Sequence, residues 1–254
     1  MPTASHHAEE LRRLHEAPEL LVLVNVWDAV SARVVAAQPG CRAVATASWS
    51  VAAALGARDG ERLSREDMLA AVARVAAAVE IPVSADLERG YGATPADVGE
   101  TMRAAAAAGA AGCNIEDGVD GALRPRDDAV ARVAAAVDAG LVVNARTDPY
   151  LLGRPDAFDI AAERGQAFVA AGAQCVFVPG VTARDEIARL VDAIGPISVL
   201  VTPASPPLEE LERLGVRRVS VGPGSLGVAM AALAEAAAGL LARAPYPPAL
   251  GYRG

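Results

Sequence analysis

The stretch Ile81–Pro82–Val83–Ser84–Ala85–Asp86–Leu87–Glu88–Arg89–Gly90–Tyr91–Gly92 begins as a buried apolar strand and ends as a polar, glycine-bearing turn. An alanine-rich helical stretch, Arg65–Val79, precedes it, and another, Pro95–Ala108, follows it. The segment reads as one β–α unit with its polar groups gathered at the end of the strand. Asp86 and Glu88 are two residues apart, a spacing that puts both carboxylates on one face of a strand. The glycines just after them let the backbone turn sharply and come close to a ligand. Two carboxylates facing one way are costly unless a positive group lies between them. A hard divalent cation is such a group, and oxygen-only ligands favour magnesium or manganese. The same side chains can instead cap the following helix or face water.

The unit recurs along the chain. Candidate strands are Leu21–Val26, Arg42–Ala47, Ile81–Leu87, Gly112–Asp117, Leu141–Arg146, Gln174–Pro179, Ile197–Val201 and Arg217–Val221. Helical stretches follow them near Asp28–Ala37, Arg65–Val79, Pro95–Ala108, Arg126–Ala139, Ala157–Ala171, Ala183–Ala193, Pro207–Leu214 and Leu226–Ala242. Apolar strands separated by helices imply a parallel sheet covered on its outer face. Eight units in a chain of this length predict an α/β fold of the (β/α)₈ TIM-barrel type. A doubly wound open sheet is the alternative, but no Gly-x-Gly-x-x-Gly opens the first helix. No linker interrupts the series, so residues 1–254 read as a single domain with a proline-rich tail at Pro245–Pro248.

Composition excludes several classes. Of 254 residues, 53% are hydrophobic and only 4% aromatic, so the core is built from Ala, Val and Leu. The formal net charge is −8 and no basic run occurs, which argues against nucleic acid as a partner. No membrane span is expected, since the run Ala104–Ala111 is broken by Gly109 and bounded by Arg103 and Glu116. Met1–Glu16 lacks an apolar signal core, so the expectation is a soluble cytoplasmic protein. All 23 basic residues are arginine. Without lysine there is no Schiff-base aldolase, pyridoxal phosphate enzyme or Walker-type nucleotide site. His6, His7 and His15 all precede the first strand, which disfavours histidine general-base chemistry in the barrel. Cys41, Cys113 and Cys175 fit no zinc spacing, and the last two read as small buried hydrophobes.

In a barrel, function sits at the carboxyl ends of the strands, and the unusual polar residues cluster there. The first strand delivers Asn25 and Asp28, the second Ser48 and Trp49, the third Asp86 and Glu88, and the fourth Asn114, Glu116 and Asp117. The fifth ends in Asn144, Arg146 and Asp148, with Asn144 and Arg146 on one face. Asp28 reads as a helix cap and Asp148 as a support for Arg146 or its loop. Asp86, Glu88, Glu116 and Arg146 together suggest a site for a metal and an anion. Magnesium held by Asp86, with Glu88 and Glu116 direct or through water, keeps open positions for a 2-oxo acid. Arg146 can pair bidentately with a carboxylate or enolate oxygen. Backbone N–H groups around Ser48 and Trp49 can add an oxyanion pocket.

Asp-x-Glu-x-Gly-Tyr-Gly from Asp86, then Asn114–Ile115–Glu116–Asp117, then Asn144–Ala145–Arg146–Thr147–Asp148, in that order, resemble the isocitrate lyase/phosphoenolpyruvate mutase superfamily. Asn25–Val26–Trp27–Asp28–Ala29 and Val176–Phe177–Val178–Pro179–Gly180 are similar to it as well. The resemblance covers about residues 20–230. It implies a modified (β/α)₈ barrel, magnesium, and 2-oxo acid chemistry through an enolate-like intermediate. It also implies a homotetramer, or a dimer, with helix 226–242 exchanged between subunits. By the same resemblance Asp86 is the direct metal ligand, Glu88 and Glu116 complete the metal site, and Asp59 lies near the metal waters. Arg146 is then the substrate arginine, with Ser48, Trp49 and Asn144 around the substrate.

One departure bears on the reaction. Isocitrate and methylisocitrate lyases carry a Lys-x-Cys-Gly-His loop after the fourth strand, whereas here the stretch is Gly118–Val119–Asp120–Gly121–Ala122–Leu123–Arg124. Their acid–base groups are absent and the lid is reduced. Decarboxylation needs enolate stabilisation but no thiolate. The expected activity is therefore that of a magnesium-dependent lyase on a small 2-oxo acid or dicarboxylate, such as an oxaloacetate decarboxylase. A carbon–carbon lyase on a 2-methylisocitrate-like diacid or a carbon–phosphorus bond enzyme is the enzymatic alternative. A 2-oxo acid binding protein with little turnover is the non-enzymatic one.

Overall fold

The computed structural model describes residues 4–245. The expected tail falls, from Tyr246 onward, outside the described residues. In chain order the strands are β1 (Leu21–Val26), β2 (Val44–Thr46), β3 (Val83–Asp86), β4 (Gly112–Glu116), β5 (Gly118–Val119), β6 (Ala122–Leu123), β7 (Val142–Arg146), β8 (Cys175–Phe177), β9 (Ile197–Leu200) and β10 (Arg218–Ser220). All but β5 and β6 close into a parallel eight-stranded barrel in which β10 pairs back onto β1. Each of the eight expected strands is present. The antiparallel hairpin β5–β6 occupies the loop after the fourth barrel strand.

Helices α1 (Ala4–Glu16), α2 (Ala29–Ala36), α3 (Ser48–Ala54), α4 (Arg65–Ala76), α5 (Pro95–Ala107), α6 (Arg126–Asp138), α7 (Ala157–Ala170), α8 (Arg184–Ile194), α9 (Leu208–Arg213) and α10 (Gly224–Leu241) complete the chain. The local signals work as expected. Thr94 caps α5 and forms a capping box with Asp97, with Pro95 in the first turn. Asp28 does the same for α2 with Ser31. The outward faces of the strands, such as Ile115, Val143, Val176 and Val199, pack against Val98, Met102, Val133, Phe168 and Leu190 of the helices. Cys113 and Cys175 are buried, and burial pushes both thiols up to about 12.

Helix α3 and the hairpin β5–β6 are added to the expected units, and two further elements differ from expectation. Helix α1 was not foreseen. Its Ala8, Leu11 and Leu14 share one helical face and pack on Leu21, Leu23, Ala45 and Val142. Because Leu21 and Val142 begin their strands, α1 closes the amino end of the barrel. Helix α10 corrects the reading that no apolar stretch is long enough for a membrane. It has 18 residues with a mean hydropathy of 1.6 and passes that test by length and composition. Leu226 is its one buried residue, and Val228, Met230, Leu233 and Leu241 are exposed.

Candidate active site

A cavity of about 220 Å³ opens at the carboxyl ends of the barrel strands. Asn25, Asp86, Asn114, Arg146, Phe177, Leu200 and Ser220 line it from seven different strands. Ser48 and Trp49 enter from the start of α3, and Asp59 from the loop after it. The volume suits a small acid.

Asp86 is the last residue of β3. Its backbone N–H donates to Thr46 Oγ1 at 2.8 Å, and its Oδ2 accepts from Ser48 N–H at 2.9 Å. No described residue donates to Oδ1. Glu88 does not share its face. The strand has ended, and Glu88 has φ 49°, in the left-handed region, so the period of two no longer applies. One Glu88 oxygen accepts from the backbone N–H groups of Gly60 and Glu61, and the other from Tyr91 OH at 2.7 Å. Glu61 returns the contact by accepting from Tyr91 N–H at 2.7 Å, and Arg89 donates to Gly60 O. Glu61 and Tyr91 are also left-handed, with φ 56° and 51°. Three such non-glycine residues in one contact zone mark backbone held against its preference. The result fixes the loop carrying Asp59 beside the end of β3.

The register sets Glu116 opposite Arg146 and Asn114 opposite Asn144. Arg146 Nη1 lies 2.7 Å from Glu116 Oε2. On its other side Arg146 donates twice to Asp148, at 2.6 and 3.1 Å. Asp148 thus supports Arg146, as expected. Burial opposes the Arg146 charge, but Glu116 and Asp148 outweigh it and hold the proton more tightly. Asp148 is itself placed by Asp117, which accepts from Asp148 N–H, Thr147 Oγ1 and Arg164. A Cβ at Gly118 would sit 2.5 Å from Asp148 Oδ2, so glycine is needed there. Burial pushes the Glu116 carboxyl up to about 8; Arg146 pulls it down, and Asp148, Asp86 and Glu88 add repulsion. Burial also raises Glu88, with Asp59 and Asp86 adding to the rise against the bonds from Tyr91 and Glu61.

Of the sequence-derived site residues, Ser48, Trp49, Asp59, Asp86 and Arg146 line the cavity. Glu88 and Glu116 stand behind it, held by the bonds above. Asn144 does not reach it. That residue is 1% exposed and donates to Asn114 Oδ1 at 2.8 Å, and it is Asn114, with Asn25, that stands at the cavity wall. Its signal was present in the sequence, because Asn114 lies two residues before Glu116 on the same strand face. Ser48 N–H is already engaged by Asp86, so it is not a free oxyanion donor.

Among the described residues no three acidic, histidine or cysteine side chains form a ready cage for an ion. Magnesium, however, is commonly held by one or two carboxylates and keeps several waters. Asp86 Oδ1 and the neighbouring Asp59 fit that mode. The donor set is oxygen only; Asp59 and Asp86 repel the charge on Glu88, and Asp86 and Glu88 repel that on Glu116.

Fold and site define the class: a barrel enzyme with an acidic, oxygen-donor centre facing one arginine. The profile of the phosphoenolpyruvate phosphomutase family ("Phosphoenolpyruvate phosphomutase") matches residues 11–241, so the chain belongs to that family, within the isocitrate lyase/phosphoenolpyruvate mutase superfamily of lyases and mutases. An oxaloacetate decarboxylase of Paraburkholderia xenovorans (strain LB400) is 33% identical over 242 residues, covering 88% of this chain and 78% of that protein. A crystal structure from Burkholderia cenocepacia J2315, provisionally described as a lyase/mutase, is 39% identical with a TM-score of 0.89 over 99% of this chain and 94% of that one. The 2,3-dimethylmalate lyase structure, a member of the superfamily, is 31% identical with a TM-score of 0.83 over 94% and 88%.

Proposed function

We propose that this enzyme is a divalent-metal-dependent lyase that decarboxylates oxaloacetate or a close 2-oxo acid. The observation that carries the reading is Asp86, with one oxygen that accepts from no described residue, beside Asp59 in a small cavity that Arg146 also enters. Asp86 is the proposed innermost metal ligand, with Glu88 and Glu116 acting through water. Bound magnesium, or manganese, supplies charge that favours an enolate oxygen. Arg146 places a second positive charge against the substrate's oxygens, and its orientation is fixed by Asp148 and Glu116 before substrate arrives. The bond to the departing carboxylate breaks, its electron pair enters the enolate, carbon dioxide leaves, and a proton returns to the same carbon. Trp49 lines the cavity and stays half exposed. No lysine is present, and the loop Gly118–Arg124 offers no cysteine or histidine. A reaction that needs no dedicated thiolate therefore fits best. The similarity to an oxaloacetate decarboxylase supports the same substrate class.

Cleavage of a carbon–carbon bond in another diacid is the second reading, supported by the likeness to 2,3-dimethylmalate lyase. A product assay across 2-oxo acids, methylisocitrate, dimethylmalate and phosphonopyruvate, with magnesium and with chelator, separates the two. Carbon dioxide and pyruvate from oxaloacetate, lost with chelator, support decarboxylation. Turnover of dimethylmalate alone overturns it. We also propose that α10 packs its apolar surface against a second copy of the chain, as a dimer or tetramer.

A further inference from the structure

Arg218 is fully buried, with 0% exposure. From β10 it crosses the barrel interior to β4, where Nη2 lies 3.3 Å from Asn114 Oδ1. Its Nε and Nη1 have no partner among the described residues. Arg132, the other deeply buried arginine, differs sharply. It donates to the Asp128 carboxylate and to the carbonyls of Gly92 and Ala93. A buried charge without a carboxylate is expensive to keep. Burial pushes Arg218 down to about 10, which shows the same imbalance.

The arrangement has one definite chemical consequence. Arginine only donates hydrogen bonds, so the Asn114 atom facing it must be the amide oxygen. Asn144 Nδ2 donates to that oxygen too, at 2.8 Å. With its oxygen doubly engaged, Asn114 turns its NH₂ group the other way, and among the described residues no acceptor takes it. Asn114 lines the cavity and is paired in register with Asp86.

We infer that Asn114 is a substrate-binding residue that donates to an oxygen anion of the substrate, and that Arg218 acts through it as a positioning residue. The inference deepens the 2-oxo acid reading above and rests on it. The ligand group selected is a carboxylate or enolate oxygen, because the amide NH₂ group of Asn114 can only donate. The positive charge of Arg218 also polarises the amide toward an anion.

The test uses the full chain with magnesium, oxalate as the probe, calorimetry for affinity and thermal melting for stability. Asn114→Leu weakens oxalate by roughly tenfold to a hundredfold, the range for a hydrogen bond to a charged group. Asn114→Asp keeps acceptors for Arg218 and Asn144, so it folds, yet it loses the donor and weakens oxalate at least as much. Arg218→Met also weakens oxalate while the melting temperature holds or rises, because an unpaired buried charge is removed. The double variant Asn114→Leu with Arg218→Met binds no worse than Asn114→Leu alone. Unchanged oxalate affinity in both Asn114 variants overturns the inference, with the 2-oxo acid reading intact. So does Arg218→Met if it lowers melting without touching affinity, or if the two losses multiply. A parent protein that binds no oxalate overturns the 2-oxo acid reading and this inference with it.

Discussion

Arg146 carries one positive charge between two carboxylates, Glu116 at 2.7 Å and Asp148 at 2.6 Å. Its guanidinium is a planar fork, and that shape lets it serve Asp148 with two nitrogens while Nη1 meets Glu116. Arg146→Ala is expected to lower oxaloacetate decarboxylation on the order of 10²–10³-fold, as loss of a charged transition-state donor does. Arg146→Lys is expected to recover only part of that rate, since a point charge cannot hold Asp148 and Glu116 together. Steady-state kinetics of the two variants checks this; full recovery by lysine would show that charge alone suffices. Asp86 carries the metal prediction. Asp86→Ala is expected to abolish magnesium binding in the presence of a 2-oxo acid, measured by calorimetry, because few protein ligands hold the ion. A variant that binds magnesium like the parent would remove Asp86 from the metal site.

At the level of elements, α1 contributes a pH dependence of its own. His15 is buried, and a carbonyl, Leu11 O, faces its Nδ1 at 2.8 Å, so Nδ1 carries a proton. Burial, with Arg218 adding repulsion, lowers its pKa from 6.5 to about 4. The unfolded chain takes up a proton near pH 6.5 and the folded one does not until about pH 4. The neutral ring's contribution to stability is therefore complete above pH 6.5 and is lost as pH falls toward 4, by on the order of 3 kcal/mol. In denaturant titrations across that window the parent is expected to lose more stability than His15→Leu as pH falls, so the variant has the flatter curve at the acid end. A parent profile as flat as the variant's would contradict the burial. The hairpin β5–β6 is the second element with a consequence. It stands where related lyases have their acid–base loop, and it holds none of those groups. Isocitrate and methylisocitrate are thus expected to turn over negligibly next to oxaloacetate in a magnesium-supplemented product assay. Isocitrate turnover matching oxaloacetate would mean that another residue supplies the base.

The molecule as a whole presents one surface that the barrel does not use. Along α10, Val228 is 74% exposed and Leu233 60%, with Glu235 its sole charged residue. Such a face needs a partner surface in water. If that partner is a second chain, Val228→Glu combined with Leu233→Glu is expected to shift light scattering to a smaller species while the far-ultraviolet dichroism is kept. A parent that is monomeric at micromolar concentration would count against the assembly.

The order of strands and helices, their caps and the strand ends that carry chemistry were legible along the chain. Each depends on neighbours within a few residues, so hydrophobic period and turn chemistry report it directly. Thr94–Pro95 and Asp28 show this, as do Asp86 and Arg146, which reach the cavity from the positions their strands predicted. The reading failed where a residue's direction depends on contacts far away in sequence. Glu88 turns from the Asp86 face because Gly60, Glu61 and Tyr91 bind it in a left-handed conformation. Asn144 stops short of the cavity because Asn114 stands in front of it, and Asn114 is turned by an arginine 104 residues away. Helix α1 escaped notice because its apolar face makes sense only once a barrel end exists for it to close. Closing the barrel brings eight strand ends to one rim, and the packing there selects which of the polar groups face the ligand and which face one another.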